Sequence, residues 1–168
     1  FRPLAAAPEA LGLTDDAALL TPKPGFELAV STDAIVAGVH YLASDTPETA
    51  AARLIASNLS DLAAMGAKPL GFTLACAWPN ATAENWIAAF AAELGRWIAR
   101  FSFPLLGGDT VATPGPAVFS LTAIGEVEAG RALRRSGAKA GGRVFVTGTI
   151  GDAALGLRVA KGEANGLP

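Results

Sequence analysis

The side chains best suited to chemistry in this sequence are carboxylates in apolar company. Asp15 and Asp16 stand in LGLTDDAALL, Asp33 follows AVST, Asp61 lies in SNLSDLAAMGA, and Asp109 ends PLLGGD. A buried carboxylate is costly unless it is paired, hydrogen-bonded or bound to a cation. Arg53 and Lys68 are the basic residues nearest Asp61 in sequence. Hard divalent cations take oxygen ligands, so convergence of Asp16, Asp33, Asp61 and Asp109 around one solvent-reachable pocket would suit Mg²⁺. The competing reading is that each aspartate caps a helix or shapes a turn, both common roles for Asp.

Neighbouring residues extend both readings. Ser31 and Thr32 place hydroxyls beside Asp33, at what reads as a strand end. Side chains alternate across a strand, so two of these three can face one cation. Asn58 and Asp61 are three apart on a helix and share a face with Leu54 and Leu62, so they need partners if buried. In Gly107-Gly108-Asp109-Thr110 the glycines allow close backbone approach, either to phosphate oxygens or within a tight turn. The lone histidine, His40 in GVHYL, reads by spacing alone as structural. Arg134 and Arg135 suit bidentate phosphate binding or an ordinary surface loop.

The elements that must position these groups alternate along the chain. FELAVS at 26–31 reads as a strand entering Thr32-Asp33. Thr46-Pro47-Glu48 carries helix-start signals, and the helix should run to about Met65, with Gly66 as its stop. LGFTLACA at 70–77 reads as a strand broken by Trp78-Pro79-Asn80. Thr82 is expected to cap a helix over 83–101. In it Trp86, Ile87, Phe90, Leu94, Trp97, Ile98 and Phe101 recur at helical spacing, as core rather than as a stacking platform. A short strand is expected at 103–106, a long one at 117–127, another at 143–147, and a helix from about 152 to 161. Gly141-Gly142 is the candidate domain boundary.

Composition narrows the function classes. Thirteen Lys plus Arg against 15 Asp plus Glu give a net charge of −2, which excludes the basic field of a general nucleic-acid binder. With 51% hydrophobic and 17% charged residues the chain is not disordered. No charge-free apolar run reaches a membrane-spanning length. Cys76 is the single cysteine and cannot form an internal disulfide, which makes the cytoplasm the expected compartment. Neither G-x-G-x-x-G nor G-x-x-x-x-G-K-[ST] occurs, so a nucleotide would not sit in the usual glycine cradle. The start at Phe1 and the end at Asn165-Gly166-Leu167-Pro168 suggest part of a longer protein, and no signal peptide is expected.

Taken together, DDAALL at 15–20, STDAIVAGVHYL at 31–42, SNLSDLAAMGAKP at 57–69, LLGGDT at 105–110 and LRRSGAKAGGRVFVTGTIGDAALGL at 133–157 form a pattern. It resembles the thiamine-monophosphate kinase family of the aminoimidazole-ribonucleotide-synthetase-like superfamily. The segments run in the family's order, and together they are far more specific than any one of them. Thr14 stands where the family has a glycine before the paired aspartates.

The resemblance implies an enzyme that uses ATP and several Mg²⁺ ions to convert thiamine monophosphate to thiamine diphosphate. It implies Asp16, Ser31, Thr32, Asp33, Asp61 and Asp109 as magnesium ligands, Gly108, Asp109 and Arg135 at the nucleotide, and His40 at the substrate. It also implies an α+β fold, with a mixed or antiparallel sheet, helices packed on one face, and the other face paired across a homodimer. Residues 1–140 would be an N-terminal ATP- and Mg-binding, dimerising domain, and 141–168 the beginning of a truncated C-terminal domain. Part of the active site would then lie beyond this chain. Two alternatives are a related synthetase or kinase with another acceptor, such as selenophosphate synthetase, and a non-catalytic nucleotide-binding and dimerisation module. The former predicts a reactive N-terminal cysteine, which this sequence does not show.

Overall fold

The computed structural model describes residues 1–163; positions 164–168, at the end of the expected second domain, lie outside the described residues. The chain divides into two compact units, Phe1–Arg134 and Arg135–Pro168.

The first unit is α+β, a four-stranded mixed sheet with its helices, as the sequence led us to expect. Its strands are β1 (Phe26–Val36), β2 (Lys68–Pro79), β3 (Leu105–Thr113) and β4 (Val118–Glu128), in the order β1-β4-β2-β3. The β4 pairs to β1 and β2 are antiparallel, and the β2–β3 pair is parallel. Period-two patterning sorts side chains between the faces. Phe72, Leu74, Cys76 and Trp78 of β2, with Phe119, Leu121 and Ala123 of β4, are buried on the face that carries the helices. The opposite face holds smaller and more polar side chains, among them Thr32, Thr73, Ala75, Ala77, Ser120 and Thr122, together with the exposed Leu28 and Val30.

Helix α1 (Pro47–Ala64) begins as its sequence dictates. The Thr46 hydroxyl accepts the Thr49 N–H at 3.3 Å, Pro47 opens the first turn, and Gly66 just beyond the end adopts φ +69°. Thr46→Ala should cost about 1 kcal/mol of stability, read as a lowered urea midpoint with an unchanged slope. Ala50, Ala51, Leu54, Ile55, Asn58 and Leu62 form its buried stripe.

Helix α2 (Glu84–Phe101) has Ala83, not Thr82, as its N-cap. The Thr82 hydroxyl instead donates to the Pro79 carbonyl at 2.8 Å, closing the turn before the helix. Phe90 packs with Trp78, Trp86 and Phe119, with centroid separations to Phe90 of 4.6–5.7 Å, so the aromatic stripe is indeed core. The exception is Phe101, which is exposed and stacks on Trp97.

Three strand limits differ from expectation for one reason: ladder bonding continues through polar residues and glycines when a neighbouring strand is available. β1 pairs with β4 from Phe26 to Val36, so Asp33 lies inside the strand and not at its end. β2 runs through Trp78 to Pro79, and β3 runs through Gly107-Gly108-Asp109-Thr110 to Thr113.

In the second unit, helix α3 (Asp152–Ala160) forms where expected. The strand expected at 143–147 does not, and Val144, Phe145 and Val146 are exposed. A strand needs a partner ladder, and the described residues of this unit contain no other strand. No helix among the described residues is long and apolar enough to cross a membrane.

Candidate active site

Two groups of carboxylates form, at opposite edges of the sheet. The first joins β1 to α1. Asp33 and Ser31 lie on the helix-bearing face of β1, because they alternate with Thr32. The Ser31 hydroxyl donates to Asp61 Oδ2 at 2.6 Å. The Asp33 N–H donates to Asn58 Oδ1 at 3.2 Å, and Asn58 Nδ2 donates to the Leu54 carbonyl at 2.9 Å. As β1 is an edge strand, alternate backbone groups such as the Asp33 N–H point away from β4 and are free for such contacts. Thr32 points to the other face, where its hydroxyl lies 2.9 Å from that of Thr122. Ser31, Asp33 and Asp61 thus come together, and the Thr32 side chain does not join them.

The second group lines a cleft of about 480 Å³ beside β3. Asp15 and Asp16 approach it from the segment before β1, and Gly107, Gly108, Asp109 and Thr110 from β3. Leu74, Cys76, Leu105 and Leu106 add an apolar side. Asp109 Oδ1 accepts the Thr110 N–H at 2.8 Å. Gly108 packs so closely on β2 that a Cβ there would lie 1.9 Å from the Leu74 carbonyl oxygen. Its glycine is therefore required by strand packing, independently of any ligand. Burial pushes the Cys76 thiol up to about 12, so it stays protonated near neutral pH and offers the cleft no thiolate nucleophile.

The four aspartates do not converge on one pocket within the chain. Asp33, Leu121, Leu74 and Gly108 stand opposite one another across the four strands. Three strand spacings, about 14 Å, separate the two edges. Among the described residues no three His, Cys, Asp or Glu side chains are placed to share a metal ion. Nor are the carboxylates desolvated: Asp16, Asp61 and Asp109 are exposed and Asp33 is half-buried. Apolar neighbours in sequence did not mean apolar neighbours in space, because alternate strand positions and one helix face look outward.

His40 is exposed in the turn after β1. Its Nδ1 accepts the Val36 N–H at 3.1 Å, so the neutral ring carries its proton on Nε2, leaving that donor for a ligand. Arg135 belongs to the second unit, where it opens a 3₁₀ turn. Sequence reading passed over Asp15 and Thr110 as cleft residues, although the adjacent DD and GGDT motifs were the available signal.

The donor set fits a hard cation in one respect. Mg²⁺ is usually held by one or two carboxylates plus substrate phosphates rather than by an all-protein cage. Each edge offers one or two such carboxylates: Asp33 and Asp61 with the Ser31 hydroxyl at one, and Asp109 with Asp15 or Asp16 along the cleft at the other.

The chain is similar to known proteins over nearly its whole length. It is 47% identical over 164 residues to thiamine-monophosphate kinase of Caulobacter vibrioides, covering 97% of this chain and 47% of that protein. The crystal structure of thiamine-monophosphate kinase from Stenotrophomonas maltophilia K279a superposes with a TM-score of 0.85 at 41% identity, over 98% of this chain and 51% of that one. AaThiL complexed with AMPPCP and TMP superposes with a TM-score of 0.78 at 28% identity, over 92% of this chain and 48% of that one. The chain thus spans about half the length of the relatives it matches. Residues 14–127, which contain both carboxylate groups, match the model of the AIR synthase related protein N-terminal domain, and the chain belongs to that family.

Proposed function

We propose that this chain is the ATP- and magnesium-binding part of an enzyme that phosphorylates thiamine monophosphate to thiamine diphosphate. The observation that carries the reading is the 47% identity to a thiamine-monophosphate kinase over 97% of the chain. AaThiL with AMPPCP and TMP supports a nucleotide and thiamine monophosphate as the two ligands. Residues 1–140 would supply the nucleotide, metal and dimer surfaces, and 141–168 would begin a second domain that completes the site. The cytoplasm is the proposed compartment.

The residue types suit the reaction. The attacking group is a phosphate oxygen, anionic at neutral pH, so no general base is required. The obstacle is the approach of two polyanions, which magnesium ions bridging them would screen while aligning in-line transfer. Asp16 and Asp109 would hold cations beside the nucleotide, with Gly108 and Arg135 at its phosphates. Ser31, Asp33 and Asp61 would hold them at the other edge, Thr32 contributing through its backbone. His40 Nε2–H would donate to the substrate phosphate.

A homodimer through the sheet face opposite the helices would bring edges of two copies together, and exposed Leu28 and Val30 on that face support it. The deciding experiment incubates the native-length protein with ATP, Mg²⁺ and thiamine monophosphate. ADP and thiamine diphosphate should appear in equal amounts. ATP turnover without thiamine diphosphate would point to another acceptor, and binding of ATP without turnover to a non-catalytic module.

A further inference from the structure

We infer that Asn58 is a positioning residue for the proposed phosphoryl transfer, its amide setting the register between Asp33 on β1 and Asp61 on α1. The inference rests on the reading that these carboxylates hold magnesium.

Asn58 is fully buried, on a helix face otherwise made of Ala50, Ala51, Leu54, Ile55 and Leu62. A buried amide is tolerated only when its polar atoms are bonded, and both of these bond to backbone. Nδ2 turns back one helical turn to the Leu54 carbonyl, which locks the side chain. Oδ1 then receives the Asp33 N–H, a donor on the free edge of β1 that β4 cannot reach. One turn further along α1, Asp61 takes the Ser31 hydroxyl.

Two cross-links therefore tie strand to helix, and they differ in kind. The Ser31–Asp61 link uses a carboxylate oxygen that a cation would claim. The Asp33–Asn58 link uses a backbone N–H and an amide, and leaves the carboxylate of Asp33 free. It can persist when Asp61 turns to a cation, and so holds the two carboxylates at a constant separation in both states. Outer-shell groups of this kind orient ligands, and their loss typically weakens metal binding by about 10- to 100-fold.

The test uses the native-length protein with Mn²⁺ as the probe, its binding followed by electron paramagnetic resonance. Asn58→Leu keeps the volume and removes both bonds; Asn58→Ser, too short to reach Asp33, covers the case in which the leucine variant does not fold. Ile55→Val is the control, a buried change on the same helix with no polar contact. Both Asn58 variants should bind Mn²⁺ at least about tenfold more weakly, while Ile55→Val lowers Tm and leaves Mn²⁺ affinity within about twofold. Wild-type affinity in the Asn58 variants, or equal weakening by Ile55→Val, would overturn the positioning role alone. Absence of Mn²⁺ binding by the unaltered protein would remove the metal reading and the inference with it.

Discussion

Gly108→Ala is expected to lower stability by about 3 kcal/mol or more, at or beyond the upper end for overpacked interiors. The added Cβ would meet the Leu74 carbonyl oxygen at 1.9 Å, its carbon at 2.8 Å and the Leu74 nitrogen at 3.0 Å. These are backbone atoms of β2, which is held on both sides by β4 and β3, so no side-chain rotation relieves the contact. Relief requires β3 to part from β2, and with it the edge that carries Asp109. For a domain of this size the melting temperature should fall by roughly 6–12 °C, at about 2–4 °C per kcal/mol. Gly107→Ala is the matched comparison, because a Cβ there has nothing within 4 Å. It should melt close to the unaltered protein. If the two variants melt alike, the close approach of β3 to β2 is wrong and Gly108 is owed to a ligand instead.

The second large effect concerns His40. In the native-length protein, His40→Ala should raise KM for thiamine monophosphate by about 10- to 150-fold, the loss of one charge-assisted hydrogen bond of about 1.5–3 kcal/mol. KM for ATP should move much less. The histidine also accepts the Val36 N–H, so a small fall in Tm is expected as well and does not discriminate. The split between the two KM values does. Asp109→Asn should behave differently, impairing nucleotide use and turnover together. An unchanged KM for thiamine monophosphate, with only a lower Tm, would make His40 a turn residue.

Much of the scaffold was legible because it depends on near neighbours. The Thr46-Pro47-Glu48 start and Gly66 stop of α1 are local signals, and the helix obeys them. The helical spacing of Trp86, Phe90 and Leu94 predicted an inward stripe, and period two predicted that two of Ser31, Thr32 and Asp33 would share a face, which the sheet shows to be Ser31 and Asp33. The expected cap at Thr82 failed because Pro79 offered its hydroxyl a nearer acceptor. The strand expected at 143–147 failed because pairing is not a local property: its apolar run has the right composition but no ladder beside it among the described residues.

The motifs alone carried the resemblance that the comparisons bear out, and that resemblance implied the α+β class that the sheet and helices show. The grouping of the carboxylates was decided only by the tertiary structure. Strand order places β1 and β3, and hence Asp33 and Asp109, at opposite edges, while α1 brings Asp61 back to Ser31 from thirty positions away. Spacing along a chain constrains side chains within one helix or strand, through a fixed rise and period. Which strands become neighbours depends on how several apolar faces bury one another at once, and that sum is settled only when the whole sheet has formed.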